Sequence, residues 1–194
     1  MSIRLVVGLG NPGERYARTR HNVGFEAVDL FVGRLGASWE VSPVGDGRLA
    51  RVSAAGAEIW VAKPDTYMNA SGEMIAPLAR YYRIEPAQVL IVSDDLDLPL
   101  GRLRLRAAGS SGGQKGLDSV LTRMGTREVP RLRLGVGPRP AHIEAAAFVL
   151  ARFGKDEAPA AERMIIRACD ALSLVCEKGV STAMNAVNAA SSET

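Results

Sequence analysis

A chain of 194 residues, 47% hydrophobic and 23% charged, can bury a core between a sheet and flanking helices, and its length fits one domain. No apolar run reaches the ~18–20 residues that span a bilayer, and the N-terminus lacks the charged, apolar, small-residue order of a signal peptide, so a cytoplasmic protein is expected. Net charge is only +3, yet residues 99–139 hold nine of the 24 Lys and Arg against two acids, Asp118 and Glu128, while the rest of the chain is net negative. Such asymmetry points to a polyanionic partner, although a solvated strand face and helix ends would look the same on charge alone. The two cysteines, Cys169 and Cys176, stand seven apart in an expected helix. Their Cα atoms would be ~10 Å apart, beyond the ~7 Å reach of a disulfide, so reduced thiols are expected. They are too few for a metal site.

Residues 3–9 form an almost continuous apolar run, the mark of a strand covered on both faces. The run passes into Gly8-Leu9-Gly10-Asn11-Pro12-Gly13 and then a polar segment ending in His21 and Asn22. Val23, Ala27, Leu30, Phe31 and Leu35 recur at helical spacing, which predicts a helix over 22–35 with Asn22 as N-cap and Gly36 just past its end. Residues 48–53 and 58–62, joined by Ala-Ala-Gly-Ala, predict an antiparallel hairpin ended by Pro64. Asn69 or Ser71 caps a helix with the buried stripe Met74, Ile75, Leu78 and Tyr82, and Pro86 blocks its extension. Residues 89–92 are a second buried strand, ending at Ser93-Asp94-Asp95-Leu96-Asp97. Over 102–106, alternation turns Leu103 and Leu105 inward and three arginines outward. Gly109-Ser-Ser-Gly-Gly113 is a flexible turn before a helix over about 116–123, and 132–136 make a further strand. The alanine-rich remainder predicts a short helix over 143–152 and a longer one over 157–177, with the last dozen residues, about 183–194, expected to fray. No repeat or linker divides the chain, so the expectation is one domain over 1–194, an α/β fold with a mixed β-sheet and helices packed on both faces in three layers.

Gly8-x-Gly10-x-x-Gly13 formally matches the dinucleotide fingerprint. Its context does not. There the third glycine lies in the first turns of a crossover helix and an acid follows ~20 residues on at the end of a strand; here helical periodicity begins only at Val23, and neither Asp29 nor Glu40 ends a convincing strand. The glycines are instead expected to turn the backbone tightly and leave room for a substrate chain. His21, on a polar segment beside this turn, is a candidate general base, although alone it reads more readily as a surface or capping histidine. His142, near a helix start, reads as structural. Asp94, Asp95 and Asp97 follow a buried strand, and one of them could orient His21 by accepting its second ring proton. Carboxylates also suit Mg²⁺, but no other acids cluster nearby in sequence. The amides Asn11 and Asn69 can hold a carbonyl and a water at once, or simply bond the local backbone. With no Gly-x-Ser-x-Gly elbow or reactive-cysteine pattern, water activated by His21 is the simplest chemistry left.

Three ordered motifs then carry a resemblance: Val7-Gly-Leu-Gly-Asn11-Pro-Gly-x-x-Tyr16-x-x-Thr-Arg-His21-Asn-x-Gly; Lys63-Pro-x-Thr-Tyr67-Met68-Asn69-x-Ser-Gly; and Asp94-Asp-Leu-Asp-Leu-Pro-x-Gly. Together they closely resemble bacterial peptidyl-tRNA hydrolases, over essentially the whole chain. The resemblance implies hydrolysis of the ester between a peptide and the 3′ ribose of tRNA, which recycles tRNA from prematurely released chains. By that analogy His21 is the general base and Asp94 holds its basic form. Asn69 binds substrate and helps place the water or the oxyanion, and Asn11 contacts the peptide main chain. Tyr16 and Tyr67 line the groove near the RNA 3′ end, with Met68 beside them as wall. Arg106 and Arg133 match positions associated with tRNA phosphates, contacts that position RNA without reading its sequence. No metal or organic cofactor is implied, no membrane partner, and a monomer is expected.

One motif departs from the family pattern. Where Gly-Gly-His-Asn-Gly is usual, this chain has Gly112-Gly113-Gln114-Lys115-Gly116, so a substrate-binding asparagine is replaced by Lys115, which donates hydrogen bonds but accepts none. Lys115 is expected to meet a tRNA phosphate or ribose. The same change leaves an alternative open, a non-catalytic RNA-binding protein on the same scaffold. Retention of Asn11, His21, Asn69 and Asp94 argues against it, because binding alone needs no base with an orienting acid.

Overall fold

The computed structural model describes residues 2–190. Its first apolar run becomes β1 (Leu5–Gly8), buried along its length. The sheet it anchors is built from β2 (Glu40–Val41), β3 (Gly47–Ala54), β4 (Ala57–Pro64), β5 (Val89–Pro99), β6 (Leu103–Arg106) and β7 (Arg131–Gly137), in the order β2-β3-β4-β1-β5-β7-β6. β4, β1, β5 and β7 run parallel, with Leu5 opposite both Trp60 and Val89, and Ile91 opposite Arg131. The flanks β2-β3 and β6 pair antiparallel. The chain therefore has the expected mixed sheet.

Helices cover both faces. α1 (Val23–Arg34), α5 (Ala158–Lys178) and α6 (Val180–Ala190) pack on one side over a core that includes Val6, Phe31, Leu90, Leu132 and Leu172. α2 (Ser71–Tyr81) and α3 (Lys115–Met124) pack on the other over Leu5, Val7, Met74, Ile91 and Leu117. The short α4 (Ala145–Val149) stands near the turn that carries His21. Successive strand residues face opposite layers, which is why β1 and β5 read as unbroken apolar runs. Cys169 and Cys176 are free thiols on α5, and burial pushes Cys176 up to about 11.

The structure differs from sequence expectation at six places. β5 does not end at Val92 but continues through the aspartates to Pro99, so Asp94 is a strand residue held by pairing with β7. Gly8 and Gly10 leave no room for substrate. A methyl on Gly8 would drive into the carbonyl oxygen of Gly24, and one on Gly10 into the Phe25 ring, so these glycines let α1 close on β1. Gly13 makes the turn, with φ +98° and open space around it. The Asn22 side chain does not cap α1. Nor does Asn69 or Ser71 cap α2, which follows a 3₁₀ turn over Met68–Ala70; the Ser71 hydroxyl donates to the Met68 carbonyl instead. Residues 183–190, within the stretch expected to fray, complete α6, where Ala183 and Val187 are buried and the Asn188 amide holds both backbone groups of Leu105. The rest of that stretch, 191–194, lies outside the described residues. A two-residue β2 left no periodic signal to read.

Candidate active site

The carboxyl ends of the parallel strands open on a cavity of about 640 Å³, the edge at which such sheets present their loops. The segment after β1 brings Asn11, Tyr16 and His21. The segment after β4 brings Tyr67, Met68 and Asn69, β5 brings Asp94 and Asp95, and β7 brings Arg133, while the start of α3 brings Gln114 and Lys115. Of the site residues expected from sequence, Arg106 alone is outside this cavity. It is exposed on β6, directly opposite Arg131.

Asn11 is buried and held on three sides. Asn22 Oδ1 accepts from the Asn11 backbone N–H at 2.8 Å, and Asn22 Nδ2 donates to the Asn11 carbonyl at 2.9 Å. Asn11 Oδ1 in turn accepts from the Met68 N–H at 2.8 Å. Because that partner can only donate, the Asn11 amide has one orientation, with Nδ2 left as the donor for the cavity. Asn69 is exposed on the cavity wall. The Tyr16 and Tyr67 rings meet edge to face with centroids 6.3 Å apart, and Tyr67 is 61% exposed.

His21 Nδ1 lies 2.9 Å from Asp94 Oδ2, and Asp94 is 3% exposed. A buried carboxylate at that distance is an acceptor, so it fixes the ring proton on Nδ1 and leaves Nε2 as the unprotonated nitrogen. The turn carrying His21 is braced from behind. The Arg20 N–H bonds the Ala151 carbonyl at 3.0 Å, and the Arg20 guanidinium lies between the Phe148 and Phe153 rings, with Nη2 on Glu157 at 2.8 Å.

Strand alternation separates Asp95 from Asp94. Asp95 faces Arg133, whose Nε is 2.6 Å from Oδ2, an ion pair rather than an aligned hydrogen bond, while Oδ1 accepts from the Asp97 N–H. Burial pushes the Asp95 carboxyl above the usual carboxylate range, opposed by that N–H and by Arg133. Among the described residues no group of three His, Cys, Asp or Glu is arranged to hold a metal ion.

The basic stretch is not uniform. Arg131 is 2% exposed, and its guanidinium bonds the Val129 and Ser110 carbonyls beneath the glycine-rich loop; burial pushes it down to about 10. Arg123 pairs with Glu73, Arg133 with Asp95, and Arg139 reaches the Ile143 carbonyl. Arg104, Arg106, Lys115 and Arg127 are exposed and form no ion pair among the described residues. Arg104 is the cross-strand partner of Arg133, so the exposed arginines of β6 lie on the sheet face that reaches the cavity.

Sequence reasoning passed over Gln114. Its Nε2 donates to Asp94 Oδ1 at 3.0 Å, and its Oε1 accepts the Leu117 N–H at 2.6 Å as the N-cap of α3. The signal was a glutamine at a position where shorter side chains are the usual caps. Asn22 and Arg20 were passed over as supports of the site for a different reason, since their partners lie 11 and 137 residues away.

Residues 5–194 match the family described as Peptidyl-tRNA hydrolase. The chain is 45% identical over 185 residues to a peptidyl-tRNA hydrolase of Chloroflexus aurantiacus, covering 95% of this chain and 98% of that one. It is 44% identical over 185 residues to one from Mycobacterium tuberculosis, covering 95% and 97%. The crystal structure of peptidyl-tRNA hydrolase from Acinetobacter baumannii superposes with a TM-score of 0.91 at 34% identity, covering 96% of this chain and 95% of that one.

Proposed function

Because the chain belongs to the peptidyl-tRNA hydrolase family, we propose that its cavity hydrolyses the ester between a peptide and the 3′ ribose of tRNA, with His21 activating the water. The observation that carries the mechanism is the 2.9 Å contact of His21 Nδ1 with buried Asp94, which leaves Nε2 free to take a proton. Nε2 removes that proton as the water oxygen attacks the ester carbonyl carbon. The resulting imidazolium is stabilised by the Asp94 carboxylate, as the acid does in a triad. The tetrahedral intermediate collapses by expelling the ribose 3′ oxygen, which takes the proton back from Nε2. The products are the peptide carboxylate, free tRNA and one released proton.

Asn69 is the donor for the developing oxyanion or the attacking water, and Asn11 Nδ2 binds a carbonyl of the peptide main chain. Tyr16 and Tyr67 pack against the 3′ end of the RNA, with Met68 as wall. Lys115, Arg133 and the exposed β6 arginines, Arg106 among them, meet phosphates. The proposed enzyme acts as a monomer. Among the described residues no helix is long and apolar enough to cross a membrane.

The competing reading, an RNA-binding protein without activity, has no use for a buried acid on a base that faces a cavity. Cleavage of N-acetylaminoacyl-tRNA by wild type and His21→Ala decides between them. Turnover by wild type and its loss in the variant are expected. Tight tRNA binding without turnover by wild type would establish the binding protein.

A further inference from the structure

We infer that Gln114 is a positioning residue, a bifunctional clamp that ties the first turn of α3 to the free oxygen of Asp94 and thereby fixes the plane of His21. The inference rests on the reading of His21 as base. Its starting point is the Leu117 N–H, which can only donate. Gln114 Oε1 must therefore be the atom 2.6 Å from it, and Nε2 must point away. Nε2 then lies 3.0 Å from Asp94 Oδ1 and 3.3 Å from Met68 Sδ.

A carboxylate torsion is broad and nearly two-fold, so one hydrogen bond to His21 would let the Asp94 group swing. Two donors on its two oxygens, His21 Nδ1 on Oδ2 and Gln114 Nε2 on Oδ1, define its plane. The imidazole follows that plane, and with it the direction of Nε2. A shorter capping residue would satisfy Leu117 but could not reach Asp94. Glutamine has the length for both, and its amide does not titrate, so the clamp holds across the working pH range.

The test separates length from hydrogen-bond polarity. Gln114→Asn keeps a good N-cap and loses the reach. Gln114→Glu keeps the reach and the cap but sets an acceptor against Asp94 Oδ1. At pH 8, kcat for N-acetylaminoacyl-tRNA should fall about tenfold or more in both variants, with KM changed by no more than about twofold. The protein holds only two histidines, so the ¹⁵N spectrum of His21 can be read beside that of His142. It should report a sharp Nδ1–H signal in wild type and a shifted, broadened one in Gln114→Asn, as the Asp94 contact loses its fixed plane. Wild-type kcat in either variant, or a loss confined to KM with an unchanged His21 spectrum, overturns the assignment. If the wild-type protein itself hydrolyses nothing, the reading of the reaction fails, while the His21 spectra still decide whether Gln114 positions the ring.

Discussion

Replacing Asp94 with asparagine tests the polarity of the whole chain from α3 to the base. The Leu117 N–H locks Gln114 with Nε2 toward position 94, 3.0 Å from the nearer oxygen. An asparagine there must therefore turn its own oxygen to Gln114 and its NH₂ to His21 Nδ1. The ring proton then moves to Nε2, and the base is lost. The opposite orientation would set two donors against each other in a buried site, at about 1–3 kcal/mol, so the competent tautomer is reduced about 5- to 150-fold. Loss of the carboxylate charge adds to this, and the analogous swap in a catalytic triad lowers kcat by about 10⁴, or about 5 kcal/mol. We expect kcat of Asp94→Asn to drop by about two to four orders of magnitude in single-turnover hydrolysis. Adding Gln114→Glu should then restore part of it, because a glutamate accepts from the introduced amide's NH₂ and lets the amide oxygen face His21. Recovery of the tautomer factor, about 5- to 150-fold, is expected from a second substitution that is harmful alone. A double variant no more active than Asp94→Asn would refute the reasoning.

Asn22→Ala should strip the buried N–H and carbonyl of Asn11 at about 1–3 kcal/mol for each group, seen as a Tm lower by several degrees together with reduced hydrolysis; an unchanged Tm would count against the clamp. Arg106→Ala and Arg104→Ala should each lower the slope of log affinity against log salt by about 1 for tRNA binding, whereas Arg131→Ala should lower Tm and leave the slope alone. Slopes unchanged from wild type for both would take β6 off the RNA path. For Glu157, the hydrogen bond from Arg20 holds the carboxyl below its usual value of 4.5. The unfolded chain therefore binds the proton more readily, and the contribution of this group to stability is present above the unfolded value and lost as pH falls through the folded one. Thermal melts should show Glu157→Gln less stable than wild type at pH 7, with the gap closing in acid; a gap constant down to pH 2 would mean that the Arg20 pairing is not its source.

Much of this site can be read in sequence because several walls of the cavity are short contiguous motifs at the ends of parallel strands. An apolar run followed by Gly-rich chain and His21 announces one wall, and Val89–Val92 followed by Asp94 announces another. What periodicity does not encode is the partner of a polar side chain. Asn22 has the chemistry of an N-cap and stands where a cap belongs, yet its amide is drawn to the buried backbone of Asn11, where unpaired groups would cost more. Arg131 counts as one more positive charge in sequence, but its position opposite Ile91 turns it inward under the glycine-rich loop. Gly8 has the look of a phosphate turn, although its reason lies across the core in the carbonyl of Gly24. Gln114 is legible only once Asp94 is known to lie within reach.

The central claim is that His21 makes water the nucleophile, and the fate of the water oxygen tests it most directly. In H₂¹⁸O, a single turnover on N-acetylaminoacyl-tRNA should place one ¹⁸O in the released carboxylate and none in the tRNA 3′ hydroxyl. His21→Ala should yield almost no labelled product over the same interval. Release of unlabelled carboxylate, or labelling at the wild-type rate without the imidazole, would contradict the account.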